Sequence, residues 1–499
     1  EWTMVFRNDS PQQREARAQI LLPLGASVSR LTLWINGEER EAAFGGRSQV
    51  RAAYQEVVER RRDPVLVTTD GPDRILLQCF PVPPNGGQMK TRIGITCPLV
   101  VREAGEGLLP MPRILERNFG TPDSLQPSVW IDSDTAIADA GPLAVDRAAE
   151  AREARGELTA ASLEDGLSVR VRRGRDTTAS WSRDDRDPAS PVVVQQLVRP
   201  PAGPAVKRLA IVIDGSTHMR EHAGELGEIL ASLLRAGPEL RAFFASDAVS
   251  TSIVNRASIP QLVAPKRFAG GCDNMAALVR AWDWASESGA GAVLWLHATQ
   301  PFESGATESL LQRWQRRPGG PPVYSCQFGG GPDRVTDRIG SHAALHFIAP
   351  VEGPVTDVAE LNPLWSGGAP TAVWQWSKLP PGTQPPAGAR QASAHLVRLW
   401  AADEIRRLIR TPAAAATAEA VKLAKTWQLV SPVSGAVVLE TQEQYRRAGL
   451  KDIDPSTAPE TIPEPAGGLL ALWGLVLILA LRGILRALRG PAILPAGHR

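Results

Sequence analysis

The sequence predicts a multidomain chain of α+β and α/β units that ends in one transmembrane helix. Three observations lead to this prediction. The chain has 499 residues, which is too long for a single hydrophobic core. Its first part alternates apolar and polar residues with the period of β-strands, and its middle part alternates apolar runs with helical patterns. A charge-free apolar run then occupies residues 466–481, close to the C-terminus.

The composition limits the classes of function. A hydrophobic content of 43% and a charged content of 22% are typical of folded globular proteins. The 55 basic and 53 acidic residues leave a net charge of +2, so we expect no nucleic-acid partner. The four cysteines form no CxxC pair, which excludes a zinc ribbon and a disulfide scaffold. Cys79 and Cys97 flank a predicted turn, and either two buried thiols or one disulfide is compatible with their spacing.

Changes in pattern divide the chain into six parts. They are a β-rich domain (1–118), an irregular β-containing connector (119–204), an α/β domain (205–350), a helical segment (351–450), a Pro-rich linker (451–465), and a transmembrane helix with its basic flank (466–489). The chain begins at Glu1 without an initiator Met or a signal peptide, so we expect the natural N-terminus to lie upstream.

The first 118 residues predict a β-sandwich that carries one helix. Residues 28–35 alternate as a strand, and residues 74–80 and 90–101 form two more candidates joined across a turn at residues 83–87. Residues 48–60 have apolar side chains at helical spacing. The residues between 148 and 155 are charged, which is typical of a helix or a flexible segment.

Several pieces of this domain together resemble the VIT domain, the vault and inter-alpha-trypsin module. The matching pieces are Leu22-Pro23-Leu24, the strand Leu31–Ile35, Ala53-Tyr54 ahead of three arginines at 60–62, Asp63-Pro64, and Phe80 leading to Val82-Pro83-Pro84. The resemblance implies a β-rich sandwich, and the family brings no catalytic residues.

Residues 205–350 predict a doubly wound parallel sheet. Leu209–Ile213 is a continuous apolar run of the kind that forms a buried parallel strand, and a helix with one apolar face follows it. Further strands are expected at 240–244, 292–296 and 323–328, with a helix at 274–282. In such sheets ligands bind at the carboxyl ends of the strands.

The order of these elements resembles a von Willebrand factor A domain. That family binds Mg²⁺ through a DxSxS motif, a Thr after a Gly-Gly turn, and an Asp in a third loop. Here Asp214 and Ser216 match, but His218 replaces the second Ser, Cys272 replaces the Thr, and Ala298 stands at the Asp position. The candidate ligands, in a degenerate site that we expect to be unoccupied, are Asp214, Ser216, His218, Cys272 and Asp273.

Three interpretations of this altered site remain open. The first is a scaffold that keeps the fold and has lost the metal, so that no cofactor is expected. The second is a divalent or transition-metal site, because imidazole and thiolate from His218, His297 and Cys272 suit zinc. The third is nucleophilic catalysis by Cys272, which nothing local in the sequence supports.

The segment 351–450 predicts two helices, at 392–409 and 413–427. Residues 429–440 and Gln444-Tyr445 resemble the closing segment of bacterial proteins that combine VIT and A domains. Trp365, Trp374 and Trp376 fit core packing better than a sugar or partner site.

The tail predicts one membrane span with a sorting signal. The run 466–481 continues past Arg482 to residue 485, and the basic flank should remain cytoplasmic, which places the preceding chain outside. The arrangement resembles the PEP-type C-terminal signal of exosortase substrates, in particular the MSEP-CTERM family. Thr461-Ile-Pro-Glu-Pro465 departs from the Met-Ser-Glu-Pro string of that family, and ten residues follow the last helix arginine. The residues of the signal are Pro463, Glu464, Pro465, Arg482, Arg486 and Arg489.

Together these features predict a non-enzymatic protein of the bacterial inner membrane or cell envelope. We expect the bulk of the chain to lie on the outer, periplasmic side and to display a protein-binding or scaffolding module. The expected partners are membrane lipid around residues 466–489, an exosortase-like membrane protease, and a protein or matrix component. The alternative is a metal-dependent enzyme or sensor that uses the His, Cys and Asp side chains of the altered site.

Overall fold

A computed structural model of the chain describes residues 1–59, 64–102, 105–145, 151–174, 179–271, 273–302, 305–340, 342–410 and 413–450. The arginines at 60–62, Cys272, the Pro-rich linker, the predicted membrane helix and the sorting signal therefore lie outside the described residues. Within these ranges no helix is both long enough and apolar enough to cross a membrane.

The elements fall into four stretches of sequence. The first contains β1 (Trp2–Asn8), β2 (Arg14–Leu21), β3 (Ser27–Ile35), β4 (Glu38–Glu41), β5 (Ala43–Gly46), α1 (Arg47–Glu59), β6 (Val65–Thr69), β7 (Arg74–Val82), β8 (Gly87–Thr96), β9 (Glu106–Pro110) and β10 (Arg113–Arg117). The second contains β11 (Ser128–Asp132), β12 (Ile137–Asp139), β13 (Ala144–Val145), β14 (Glu153–Glu157), α2 (Ser162–Asp165), β15 (Ser168–Arg172), β16 (Ala179–Arg183) and β17 (Val192–Val198). The third contains β18 (Arg208–Asp214), α3 (Ala223–Ala236), β19 (Glu239–Ala245), β20 (Ser250–Ile253), α4 (Ile259–Leu262), α5 (Met275–Ser286), β21 (Gly291–His297), α6 (Thr307–Arg316), β22 (Val323–Gln327), α7 (Arg334–Ile339) and β23 (Leu345–Phe347). The last contains α8 (Pro354–Ala359), α9 (Asn362–Trp365), β24 (Val373–Lys378), β25 (Arg390–Gln391), α10 (His395–Ile409), α11 (Ala414–Trp427), β26 (Ser434–Val438) and α12 (Gln442–Arg447).

The N-terminal unit, which comprises residues 1–97 with residues 429–450, is built on two sheets. One has the order β1-β8-β3-β4, and the other has the order β10-β2-β7-β6-β26-β5. Side chains from both sheets form one core that includes Ile20, Leu31, Leu77 and Ile93. Helix α1 packs on the outer face of the second sheet through Val50, Tyr54 and Val57. The predicted sandwich with one helix is therefore present, with the short helix α12 beside it.

Strand β26 completes this unit from the far end of the sequence. It lies between β5 and β6 and is antiparallel to both, with Val437 opposite Ala43 on one side and Leu66 on the other. Ala436, Val437 and Val438 are fully buried. Residues 351–450 are predicted to form a separate helical segment, and the two predicted helices are present as α10 and α11. The pairing of β26 with the first 70 residues was missed because strand pairing over such a separation leaves no local signal.

Strands β7 and β8 are joined across residues 83–87 as predicted, but they do not form a hairpin. Strands β7 and β8 belong to different sheets, so the chain crosses from one sheet to the other at this turn. Among the described residues Cys79, Cys97 and Cys326 are all free thiols. Burial raises the pKa of Cys97 to about 11, because a thiolate loses its hydration in this core. Cys79 and Cys97 thus correspond to the two-thiol interpretation.

Two small sheets, β11-β14-β13 and β12-β15-β9, form the connector around their own apolar core. The part of the charged segment that is described begins strand β14 at Glu153, where a helix or flexible segment was predicted. A further sheet has the order β24-β17-β16-β25, in which β17 pairs antiparallel with β24. Residues 199–372 lie between these two strands in the sequence. This segment is therefore inserted between two strands that are neighbours in one sheet.

The doubly wound unit (residues 205–365) contains a six-stranded sheet in the order β20-β19-β18-β21-β22-β23. Its strands are parallel except for β20, which is antiparallel to β19. Residues 209, 211 and 213 of β18 face α3, α8 and α9, whereas residues 210 and 212 face α5, α6 and α7. Both faces of β18 are buried, which explains why its sequence is uniformly apolar.

Ion pairs hold the doubly wound unit against the units before it. Asp357 is 4% exposed, and its carboxylate accepts hydrogen bonds from the backbone N–H groups of Val351 (2.9 Å), Glu352 (3.1 Å) and Gly353 (3.2 Å). The same carboxylate pairs with Arg102, which also pairs with Glu352 at 2.5 Å. The loop at 351–353 is therefore fixed both within its own unit and to residue 102.

Candidate functional site

Asp214 lies at the carboxyl end of β18, in the middle of the doubly wound sheet. Strands β19 and β21 flank β18, and the connections on its two sides run to opposite faces of the sheet. This is the topological switch point, where the loops diverge and leave a crevice. The residue after Asp214 must be small, since a Cβ on Gly215 would lie 2.3 Å from the carbonyl oxygen of Ala245.

The Asp214 carboxylate is fully buried and accepts three N–H donors. Its Oδ1 accepts from the backbone N–H of Ser216 at 2.8 Å. Its Oδ2 accepts from the backbone N–H of Ala298 at 3.1 Å and from the side-chain amide of Gln300 at 3.2 Å. Ala298 stands where the resemblance expects an acidic ligand, and it contributes only its backbone.

Gln300 was missed by the sequence analysis, although it is central to the site. It is 1% exposed, and its side chain bridges two loops, because its amide nitrogen donates to Asp214 and its oxygen accepts from Asn274 Nδ2 at 3.0 Å. The amide orientation follows from these partners, since a carboxylate can only accept. The sequence does show that Gln300 is a polar residue just beyond the buried strand β21. It does not show which way the side chain of Gln300 points.

His297 belongs to a neighbouring buried network and is not aimed at the Asp214 carboxylate. Its Nδ1 lies 2.8 Å from the Ala298 carbonyl oxygen and its Nε2 lies 2.8 Å from Ser325 Oγ. A carbonyl oxygen only accepts, so Nδ1 carries the proton and Nε2 accepts from the Ser325 hydroxyl. Burial lowers the pKa of His297, although the Asp333 carboxylate at 3.8 Å opposes this shift. Both ring nitrogens are used within the core, so His297 is not available as a metal ligand.

The other predicted ligands do not converge on Asp214. His218 is exposed on a short 3₁₀ helix at 217–220, and Asp273 is exposed and accepts from the backbone N–H of Met275 at 2.9 Å. Only Asp214 and Ser216 of the described candidates lie together, and Cys272 lies outside the described residues. Across the described ranges no group of three or more His, Cys, Asp and Glu side chains could hold a metal ion.

The residues around Asp214 do not fit a bound cation. Three of roughly four acceptor positions of its carboxylate already take N–H donors. A cation needs oxygen ligands about 2.0–2.6 Å away, whereas the nearest side-chain group on Oδ2 is an amide N–H. Ser216 is 1% exposed, and its hydroxyl has no hydrogen-bond partner among the described residues.

A cleft of about 100 Å³ separates the doubly wound unit from the N-terminal unit. Its walls are mainly apolar and include Leu22, Met111 and Phe347, with Ser325 and Asp333 at one side. Small-molecule sites usually enclose about 300–1,000 Å³. This cleft is therefore too small for an ordinary cofactor or substrate.

Comparison with protein families confirms the resemblance of the first domain. Residues 1–95 match the family described as the vault protein inter-alpha-trypsin domain, or VIT. A comparison with curated proteins gives no match.

Von Willebrand factor A domains are found among the structural neighbours. A von Willebrand factor type A structure from Catenulispora acidiphila has 13% identity and a TM-score of 0.25, and the match covers 38% of this chain and 46% of that one. Proximal thread matrix protein 1 from the mussel byssus has 10% identity and a TM-score of 0.25, with 33% and 48% covered. The manganese-loaded TRAP protein of Plasmodium vivax has 15% identity and a TM-score of 0.25, with 38% and 82% covered. The chain spans about half the length of the first two structures, and at these scores none of the three carries a functional argument.

Proposed function

We propose that the chain is a membrane-anchored cell-envelope protein that displays a protein-binding or scaffolding module and is not an enzyme. The observation that carries this proposal is the carboxyl edge of the doubly wound sheet. Its buried carboxylate is occupied by protein donors, whereas Phe302 on the adjacent loop is 76% exposed. The edge thus offers a surface for contact and no converging reactive groups among the described residues.

An exposed aromatic side chain at this edge is suited to protein recognition. A large apolar ring gains free energy when a partner removes it from water, and ligands of doubly wound folds bind at the carboxyl ends of the strands. We therefore place the partner, a protein or a matrix component of the envelope, on the surface around Phe302. The metal-dependent alternative relies on the His, Cys and Asp side chains of the altered site, and no observation among the described residues favours it.

Site-specific photo-crosslinking in cells tests this surface. A photoreactive amino acid at position 302 should give a discrete crosslinked product. The matched control is position 253. Ile253 is 65% exposed and lies on β20 opposite Arg241, near the amino end of β19 and away from the carboxyl edge. If positions 302 and 253 give the same products, or neither gives any, the surface around Phe302 is not the binding site.

We also propose that the tail anchors the chain in the inner membrane and is read by an exosortase-like protease. The charge-free run 466–481 beside arginines 482, 486 and 489 supports an anchor with the folded units outside. Pro463-Glu464-Pro465 immediately before the run supports recognition at this point. Mass spectrometry of the mature C-terminus should find the helix removed in the wild type and retained in Glu464→Ala. If both proteins keep the intact tail, the segment is a permanent anchor.

A further inference from the structure

We propose that Gln300 replaces the cation of the doubly wound unit, so that its side-chain amide closes a latent cation site. In this interpretation the amide joins the three loops that a metal ion would otherwise join. Removal of the amide should therefore free the Asp214 carboxylate to bind a cation. This inference does not depend on the proposed binding function or on the fate of the tail.

The first support is the set of hydrogen-bond donors that contact the Asp214 carboxylate oxygens. Two of the three donors that it accepts are backbone N–H groups, and these are fixed by the loops that carry them. The third donor, the Gln300 amide at 3.2 Å, is the only one supplied by a side chain. It is consequently the only donor that a substitution can remove without moving the backbone.

The second support is the connection that Gln300 makes between loops. Its amide reaches the loop after β18 through Asp214 and the start of α5 through Asn274, while its own backbone lies in the loop after β21. A cation held by ligands from these three loops would connect the same segments. A neutral amide achieves this connection without the desolvation of a divalent ion.

The third support is that the backbone of Gln300 is held on both sides. Its N–H donates to the Pro332 carbonyl oxygen at 3.1 Å, and its own carbonyl oxygen accepts from the Arg334 N–H at 2.7 Å. The residue is 1% exposed, so its side chain is enclosed by protein on a backbone that these bonds fix. The amide is therefore a built part of the site.

The fourth support is the chemistry that remains when the amide is removed. A Gln300→Ala substitution would free an acceptor position on Asp214 Oδ2, and the loop that carries Asp214 also holds the Ser216 hydroxyl, which has no hydrogen-bond partner among the described residues; both groups are oxygen ligands. Hard divalent cations prefer such ligands, and water can complete the coordination. One carboxylate alone predicts modest affinity, because Ala298 supplies no second acid.

The test uses the purified full-length chain in detergent, without a polyhistidine tag, and Mn²⁺ alone as the probe. Thermal unfolding and the electron paramagnetic resonance signal of free Mn²⁺ are the two readouts. We expect Mn²⁺ to leave the melting temperature of the wild type unchanged. Gln300→Ala should melt roughly 5 °C lower without metal and regain several degrees with Mn²⁺. Its affinity for Mn²⁺ should exceed that of the wild type at least about tenfold.

The matched control is Gln19→Ala in the N-terminal unit. Gln19 is 4% exposed and its amide donates to Asp70 Oδ2 at 2.9 Å, so the substitution removes the same kind of bond elsewhere. It should lower the melting temperature without creating a response to Mn²⁺. Asp214→Asn combined with Gln300→Ala should abolish the Mn²⁺ response.

Two results would overturn the proposal. One is a wild type that binds Mn²⁺ as tightly as Gln300→Ala, and the other is a Gln300→Ala protein that responds no more than Gln19→Ala. If Gln300→Ala does not fold, Gln300→Glu keeps the shape and sets a second carboxylate beside Asp214. That variant should be stabilised by Mn²⁺ more than the wild type, and an unchanged melting temperature would equally overturn the proposal.

Discussion

A single substitution in β26 should loosen strands that lie more than 350 residues earlier in the sequence. Val437 is fully buried between β5 and β6, opposite Ala43 and Leu66. Val437→Ala removes two methyl-sized groups at about 0.8 kcal/mol each. The cavity adds about 1 kcal/mol, at about 24 cal/mol per Å³ over roughly 40 Å³. The total is about 2.5 kcal/mol.

Hydrogen exchange monitored by mass spectrometry can locate this loss. If amides exchange when the N-terminal unit opens, about 2.5 kcal/mol corresponds to a roughly 70-fold increase in their exchange rate. The increase should appear in peptides that cover residues 43–46 and 65–69, as well as in β26. Val373→Ala is the matched control, since Val373 is 46% exposed on β24 and its truncation should change little. An increase confined to residues 434–450 would refute the placement of β26 in this sheet.

Two further predictions concern the junction of units and the dependence of stability on pH. Asp357→Asn should destabilise the chain by about 1.5–3 kcal/mol, because it weakens the charged contact with Arg102 while Glu352 still pairs with that arginine. Limited proteolysis should then release the doubly wound unit, and resistance equal to that of the wild type would contradict this prediction. Burial, with a smaller contribution from Arg398, lowers the pKa of His395 from 6.5 to about 4. The unfolded chain therefore binds a proton that the folded chain does not between these values, so stability should fall as pH drops from 6.5 to 4. His395→Asn should flatten this part of the profile of melting temperature against pH, and an unchanged slope would assign the dependence to other groups.

The local elements of the doubly wound unit were predictable because their causes are local. The apolar run at 209–213 forms β18, which is buried on both faces of the sheet. The helical spacing after it forms α3, which packs on one of these faces. The position of Asp214 followed from the same pattern, because a polar residue that ends a buried strand must lie at the carboxyl edge. The periodicity of residues 48–60 likewise gave α1.

What could not be predicted depends on contacts between distant residues. The direction of the Gln300 amide is decided by Asp214 and Asn274, and nothing in the residues around position 300 specifies it. His297 looked like a candidate ligand, but Ser325, almost 30 residues later, takes its second nitrogen. The β7–β8 turn has the composition of a hairpin, although β7 pairs with β2 and β6 instead of β8. In each case the partner is set by tertiary packing.

The place of β26 determines which part of the molecule bears mechanical load. Tension on the segment after residue 450 reaches the folded protein through α12 and β26, and hence through the sheet that also contains β2 and β6. The doubly wound unit branches from the chain between the paired strands β17 and β24, so its two ends are neighbours and it lies off a line of force that runs between residue 1 and residue 450. A pull between these two ends would therefore strain the N-terminal unit first, while the surface around Phe302 keeps its shape.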